Sequence, residues 1–293
     1  MVDLPVAPPR RPWNPVAVQA VAVVLLVLAG LVRVASVEAR KAVELRPASV
    51  GAASVVARRH GTARMEMTLT IAAEGGTVTE RGTGQIDFGR HVTAIDFDLG
   101  DVAASTGAPR NLSMVTKDNL LWLKVPDERV AANDGRAWVR VDATELWTGV
   151  APDLTSDPTR VLDQLRLLGS TAIEAGEEDV RGVATVRYHA DLPVAVLLDA
   201  IPAAEREETR NALAEAGLDT IGYDVWLDHA GLPRRIGTGI DLGGGFSVRT
   251  ELELFDYGRL MRIDVPSDDE TRNAATVADA FEAIGLSAAG LPA

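Results

Sequence analysis

The chain has 293 residues, 47% of them hydrophobic, which is enough length and apolar content to bury a sizeable core and excludes a disordered polymer. Its formal net charge of −13 argues against a nucleic-acid partner, because neutralising phosphates requires lysine and arginine. The absence of cysteine excludes disulfides, thiol catalysis, cysteine zinc sites and a lipid-modified cysteine. Residues 47–293 hold 23 basic and 39 acidic side chains, so we expect no passive adhesion to anionic lipid headgroups.

An apolar segment near the N-terminus predicts a membrane helix. Residues 15–32 read PVAVQAVAVVLLVLAGLV, contain no charge, and as a helix span roughly 27 Å, close to the thickness of a bilayer core. Two interpretations stay open: an uncleaved anchor over 15–33 with residues 1–14 in the cytoplasm, or a cleaved signal peptide. The weak match to a cleavage site favours the anchor over a signal peptide, and the length and position of the segment disfavour a buried core helix. Either way we expect the remaining chain to lie outside the cytoplasm, and the anchor would hold it at the plasma membrane.

Residues 34–58 are predicted to be a tether, and the pattern then changes to a period of two. Met65, Met67, Leu69 and Ile71 alternate with polar residues, as in a half-buried strand. Strands are also predicted over 77–88 and around 95–99, and in the short apolar runs at 112–115, 120–125 and 138–141. Together these runs are typical of an antiparallel meander.

Helices are predicted in the middle of the chain, over 157–168, after Pro193 and over 203–217. Further strands are predicted on both sides of the Glu177–Asp179 turn, in a hairpin over 221–242 and over 246–258. The sheet is expected to end near Pro266, which makes 59–266 the folded domain. Residues 267–293 are then a C-terminal tail with one short amphipathic helix.

The pair His189 and Asp191 raises the question of a catalytic site. Both lie at alternate positions of a predicted strand, on its polar face, and no nucleophile follows at a tight turn. We therefore interpret His189 as a solvated strand residue. No nucleophile elbow, HExxH motif, phosphate-binding loop or dinucleotide fingerprint occurs, so we expect no enzyme activity, no catalytic residue, no metal site and no cofactor.

Three segments resemble the LppX/LprG/LprF family of bacterial envelope lipoproteins, whose fold is LolA-like. They are DPTRVLDQLRLLGS at 157–170, DVRGVATVRYHADL at 179–192 and YDVWLDHAGLPRRI at 223–236. The resemblance implies an α+β fold: a strongly curved antiparallel sheet, forming an incomplete barrel, with helices on its concave face. Here one N-terminal transmembrane helix precedes this domain and replaces the acylated cysteine of the family.

The resemblance also implies an apolar cavity that takes the acyl chains of a lipid or lipoglycan, for local transfer or presentation. The predicted ligand-binding residues line the inward strand face and the helices: Met67, Leu69, Ile95, Phe97, Leu162, Leu165, Leu168, Val186, Tyr188, Val196, Leu197, Val225, Leu227 and Leu252. The alternative is that these side chains fill a core and that the protein is an envelope sensor or scaffold that binds another protein. An envelope hydrolase has no motif in its favour.

Overall fold

The structure is a computed structural model of the chain. It describes residues 50–73, 76–100, 109–142, 165, 168–169, 171–199, 207, 210, 218–241 and 245–286. Three predicted elements lie wholly or mostly outside these ranges: the membrane segment 15–33, the helix over 157–168 and the helix over 203–217. Among the described helices, none is long and apolar enough to cross a membrane.

Twelve strands form one open sheet, in the order β12-β6-β5-β4-β3-β2-β1-β11-β10-β9-β8-β7. The strands are β1 (Thr62–Ala73), β2 (Gly76–Asp87), β3 (Val92–Asp98), β4 (Asn111–Lys117), β5 (Leu120–Lys124), β6 (Trp138–Asp142), β7 (Ile173–Val180), β8 (Val183–Pro193), β9 (Thr220–Asp228), β10 (Pro233–Asp241), β11 (Ser247–Phe255) and β12 (Thr271–Asn273). Pairing is antiparallel except between β12 and β6. This confirms the predicted meander and the predominantly antiparallel sheet.

Alternation along the strands gives the sheet two different faces. On the inner face, side chains such as Met65, Leu69, Val225 and Leu252 are at most 2% exposed and belong to one continuous hydrophobic core. On the outer face the same strands carry mostly polar and charged residues. The period-two pattern therefore predicted correctly which side chains are buried.

Two glycines on the inner face of β2 make the packing there close. A methyl group at Gly82 would lie 2.7 Å from the Phe97 ring, and one at Gly84 would lie 2.4 Å from the Ala94 carbonyl oxygen. Neighbouring side chains thus extend over both glycines and fill the space that side chains of β2 would occupy. This explains the weak alternation of the second predicted strand.

Three described helices accompany the sheet: α1 (Val50–Arg59), α2 (Val194–Asp199) and α3 (Val277–Ala283). Helix α1 packs against β9 and β10 and buries Val50, Ala53 and Ala57 in the core. It occupies the end of the region predicted to be a tether. A 3-10 helix over Asp127–Asn133 connects β5 to β6.

The prediction that the sheet ends near Pro266 is wrong. Strand β12 pairs with β6, and the guanidinium group of Arg272 forms two hydrogen bonds of 3.0 Å to Asp279 of α3. The predicted amphipathic helix is confirmed, with Phe281 4% and Ile284 0% exposed. Strand β12 escaped detection because three residues are too few to show alternation.

An extended strap, residues 259–266, connects β11 to β12 across the outer face. Ile263 of the strap packs with Val92, Val115 and Trp122 in a second, smaller hydrophobic cluster. The Arg90 guanidinium donates a hydrogen bond of 3.0 Å to the Ile263 carbonyl oxygen. The strap therefore covers Val92, Val115 and Trp122 on the outer face of β3–β5, and these apolar side chains are at most 5% exposed.

Candidate functional site

A cavity of about 460 Å³ lies where β7, β8 and β9 approach their shared end. Its apolar part comes from Val186, Tyr188 and Leu227, which project from the inner face. Val186 and Tyr188 are only partly buried, in contrast to the core residues of β1 and β11. The remaining lining is mainly polar: Glu177, Glu178, Asp179, Ala184, Thr185, Asp228 and His229.

Of the fourteen predicted ligand-binding residues, three line this cavity: Val186, Tyr188 and Leu227. Others are packed in the continuous core at 0–4% exposure: Met67, Leu69, Ile95, Phe97, Leu165, Leu168, Val225 and Leu252. Leu162 and the side chain of Leu197 lie outside the described residues. The predicted lining therefore divides into a filled part around β1–β3 and β11, and an open part at β7–β9.

Val196 does not point as the sequence predicted. It is 38% exposed, whereas Val194 and Leu198 of the same short helix are 8% and 5% exposed and join the core. These two positions are four apart and share a helix face, and Val196 lies between them on the other side. The error arose because six residues of almost uniformly apolar sequence give no helical periodicity.

Asp228 organises the turn at the mouth of the cavity. The residue is 4% exposed, and its carboxylate accepts backbone hydrogen bonds from Ala230 and Leu232 at 2.9 and 3.0 Å. The Arg234 guanidinium lies 2.7 Å from the second carboxylate oxygen and balances the buried charge. The turn between β9 and β10 is thereby held in place beside His229, which lines the cavity.

The outer face behind the cavity carries a network of ion pairs. Glu253 accepts hydrogen bonds from Arg235 at 2.7 Å and from Arg181 at 2.6 Å, and Arg235 also contacts Glu178 at 3.0 Å. Burial opposes the charged form of Glu253, but the two arginines outweigh it and lower the pKa of this carboxyl group. The indole N–H of Trp226 donates to Glu178 at 2.7 Å. The network connects β7 to β10 and β11 and fixes one wall of the cavity.

His189 and Asp191 lie on the outer face of β8, as predicted. The Nδ1 atom of His189 is 3.0 Å from Asp224 Oδ1, while Nε2 is 3.6 Å from Asp191 Oδ1. Arg187 also contacts Asp224, at 2.8 Å. The histidine thus belongs to the surface charge network, and its partner Asp224 was missed because it comes from the neighbouring strand, 35 residues away.

Sequence reasoning also missed the polar lining of the cavity. Glu177, Glu178 and Asp179 were interpreted only as a turn, and the buried Glu80 on the inner face of β2 was not considered. The acidic run in β7 was the available signal. In the described part of the chain, no group of three or more histidine, aspartate or glutamate side chains is arranged to hold a metal ion.

Comparisons with known proteins give structural likenesses at low sequence identity. No family model matches the sequence, and no curated protein matches it. Similar solved structures include the lipoprotein LppX from Mycobacterium tuberculosis (10% identity, 73% of this chain and 98% of that chain, TM-score 0.40) and LprF from Mycobacterium bovis (14%, 74% and 97%, TM-score 0.39). A putative outer membrane lipoprotein-sorting protein domain from Vibrio parahaemolyticus is also similar (12%, 71% and 92%, TM-score 0.28). LppX and LprF bear the names of the family that the three sequence segments resemble.

Proposed function

We propose that this protein holds acyl chains of a lipid or glycolipid in the cavity at β7–β9, for local lipid transfer or presentation. It acts on the extracytoplasmic side of the plasma membrane, to which residues 15–33 anchor it. The observation that carries the proposal is the cavity itself, which leaves Val186 and Tyr188 of the inner face partly uncovered.

The size and lining of the cavity suit an amphiphile. A volume of about 460 Å³ falls within the range of small-molecule sites, roughly 300–1,000 Å³. Each methylene that leaves water contributes about 0.8 kcal/mol, so an apolar surface binds a chain without any catalytic group or cofactor. The exposed polar residues at the mouth, such as His229, would face the headgroup.

A second candidate function is an envelope sensor or scaffold that binds another protein and has no open lipid cavity. The observation in its favour is the close packing of most predicted lining residues, such as Met67 at 3% and Phe97 at 2% exposure. Strand β7 is at the edge of the sheet, and seven of its eight residues are exposed. An exposed edge of this kind can pair with an extended segment of a partner.

Native mass spectrometry of the full chain, purified from a bacterial envelope and followed by lipid extraction, tests the proposal. We expect a stoichiometric adduct that extracts as lipid. The variant Val186→Trp places an indole ring in the cavity against Tyr188 and Leu227 and should reduce the adduct at least tenfold. Val248→Trp is the matched control, because Val248 is also a partly buried valine of the inner face but does not line the cavity.

The outcomes separate the two candidate functions. Loss of the adduct in Val186→Trp but not in Val248→Trp supports the acyl-chain site at β7–β9. A bare polypeptide mass, with no uptake of offered phospholipid or glycolipid, would rule out the carrier function and favour the protein-binding module. An adduct that both variants retain equally would place the lipid elsewhere.

A further inference from the structure

One corner of this acidic protein is basic. It lies where α1 ends, β1 begins, β2 turns into β3, and the strap leaves β11. We name it the basic corner and define it by six arginines and one leucine: Arg58, Arg59, Arg64, Arg90, Arg259, Arg262 and Leu260.

Backbone contacts bring these residues together. The Gly61 N–H donates to the Arg58 carbonyl oxygen at 3.0 Å, and the Gly61 carbonyl oxygen accepts the N–H of Phe88 at 2.8 Å, which places the β2–β3 turn beside α1. The Thr62 hydroxyl donates to the Arg259 carbonyl oxygen at 2.7 Å, which places the strap beside both. The basic corner is therefore a fixed feature of the fold.

The charge of the basic corner remains positive after its acidic neighbours are counted. Asp256 lies 3.5 Å from Arg64 and 3.3 Å from Arg259, and Asp264 lies 2.6 Å from Arg262. Asp87 accepts the backbone N–H of Arg90. Arg58 aside, the five other arginines against these three aspartates leave a net charge of +2, whereas the whole chain carries −13.

Leu260 lies at the tip of the basic corner and is fully exposed, at 105% of its reference area. The arginines on either side of it, Arg259 and Arg262, have side chains 66% and 85% exposed. Ile263 holds the strap to the sheet at 4% exposure, so Leu260 projects from a fixed base. An apolar side chain flanked by arginines is the composition by which proteins contact anionic membrane surfaces.

We propose that the basic corner docks on an anionic lipid surface, with the arginines at the headgroups and Leu260 inserted among them. This refines the expectation that the acidic body does not adhere to anionic lipid. The negative net charge of the whole chain disfavours contact between most of the surface and anionic lipid. The positive charge of the basic corner favours contact at that place alone. The proposal does not depend on the acyl-chain cavity, which lies at the end of β7–β9.

The absence of cysteine allows a direct test in the full chain. Leu260→Cys carries an environment-sensitive NBD label, and the protein is reconstituted in vesicles of phosphatidylcholine alone or with 30% phosphatidylglycerol. We expect a blue shift of the label and quenching by a lipid-borne quencher only with phosphatidylglycerol, and loss of both effects at 0.5 M salt. Thr77→Cys, exposed at the opposite end of the β1–β2 hairpin, is the control site.

The charge dependence is tested by adding Arg259→Gln and Arg262→Gln to the labelled chain. Each exposed arginine near an anionic leaflet contributes about fivefold to the affinity, so we expect the double variant to weaken the contact about 25-fold. Equal contact with both lipid compositions, no contact with either, or contact at position 77 instead of 260 would each overturn the proposal.

Discussion

At the residue scale, Gly84 is the described glycine at which an added methyl group would make the closest contact. A methyl group there would meet the Ala94 carbonyl oxygen at 2.4 Å, and a backbone atom cannot rotate away. We expect Gly84→Ala to lower the free energy of unfolding by about 1–3 kcal/mol, as for other overpacked cores. Chemical denaturation of the full chain measures the change.

Gly239→Ala is the matched control, because a methyl group at Gly239 of β10 would have no atom within 4 Å. There the smaller freedom of the unfolded chain should leave stability unchanged or raise it by about 0.4–1 kcal/mol. Equal destabilisation by both substitutions would show that alanine harms these strands for a reason other than the close contact at Gly84.

Individual residues also show how far the sequence predicts the site. Alternation correctly placed Val186, Tyr188 and Leu227 on the inner face, since a strand has a strict period of two. It did not show that these three line an open cavity while Phe97 lies in a filled core. Whether a residue lines the cavity or lies in the filled core depends on side chains from other strands, such as those that cover Gly82. The alternation along a single strand carries no information about those side chains.

At the scale of elements, residues 267–286 form part of the folded domain and stabilise it. Strand β12 extends the sheet, and Phe281 and Ile284 bury their side chains almost completely. Each buried side chain of this size contributes about 1.5–3 kcal/mol. We expect a chain that ends at Pro266 to lose at least about 3 kcal/mol of stability, measured by denaturation or by loss of soluble yield.

The control for this truncation is a chain that ends after Leu286, which retains β12 and α3 and should match the full chain. If the chain ending at Pro266 were as stable as this control, residues 267–286 would be dispensable and the original tail prediction would be correct.

At the scale of the whole molecule, the order of the strands was less predictable than their existence. Consecutive strands from β1 to β6 pair as neighbours, as the meander predicts. Strand β1 also pairs with β11, and the paired residues are 175 to 191 positions apart in the chain. The inner-face pattern of the two strands is compatible with many such pairings. Their register is fixed only when the complete sheet, with its core and its outer ion pairs, is assembled.

The open sheet also leaves β7 as an edge, and its acidic residues have a physical role there. Charged side chains on an exposed edge disfavour pairing with the same edge of a second molecule. Glu174 and Glu177 are exposed on β7, whereas Glu178 is engaged by Arg235 and Trp226.

We expect the double variant Glu174→Thr, Glu177→Thr to self-associate at micromolar concentration, as measured by sedimentation velocity of the full chain in detergent. The variant Asp127→Thr, Glu128→Thr removes the same charge from the 3-10 helix and should sediment as the unmodified chain does. Association of both variants would indicate net charge as the cause, and association of neither would show that the acidic residues do not protect this edge.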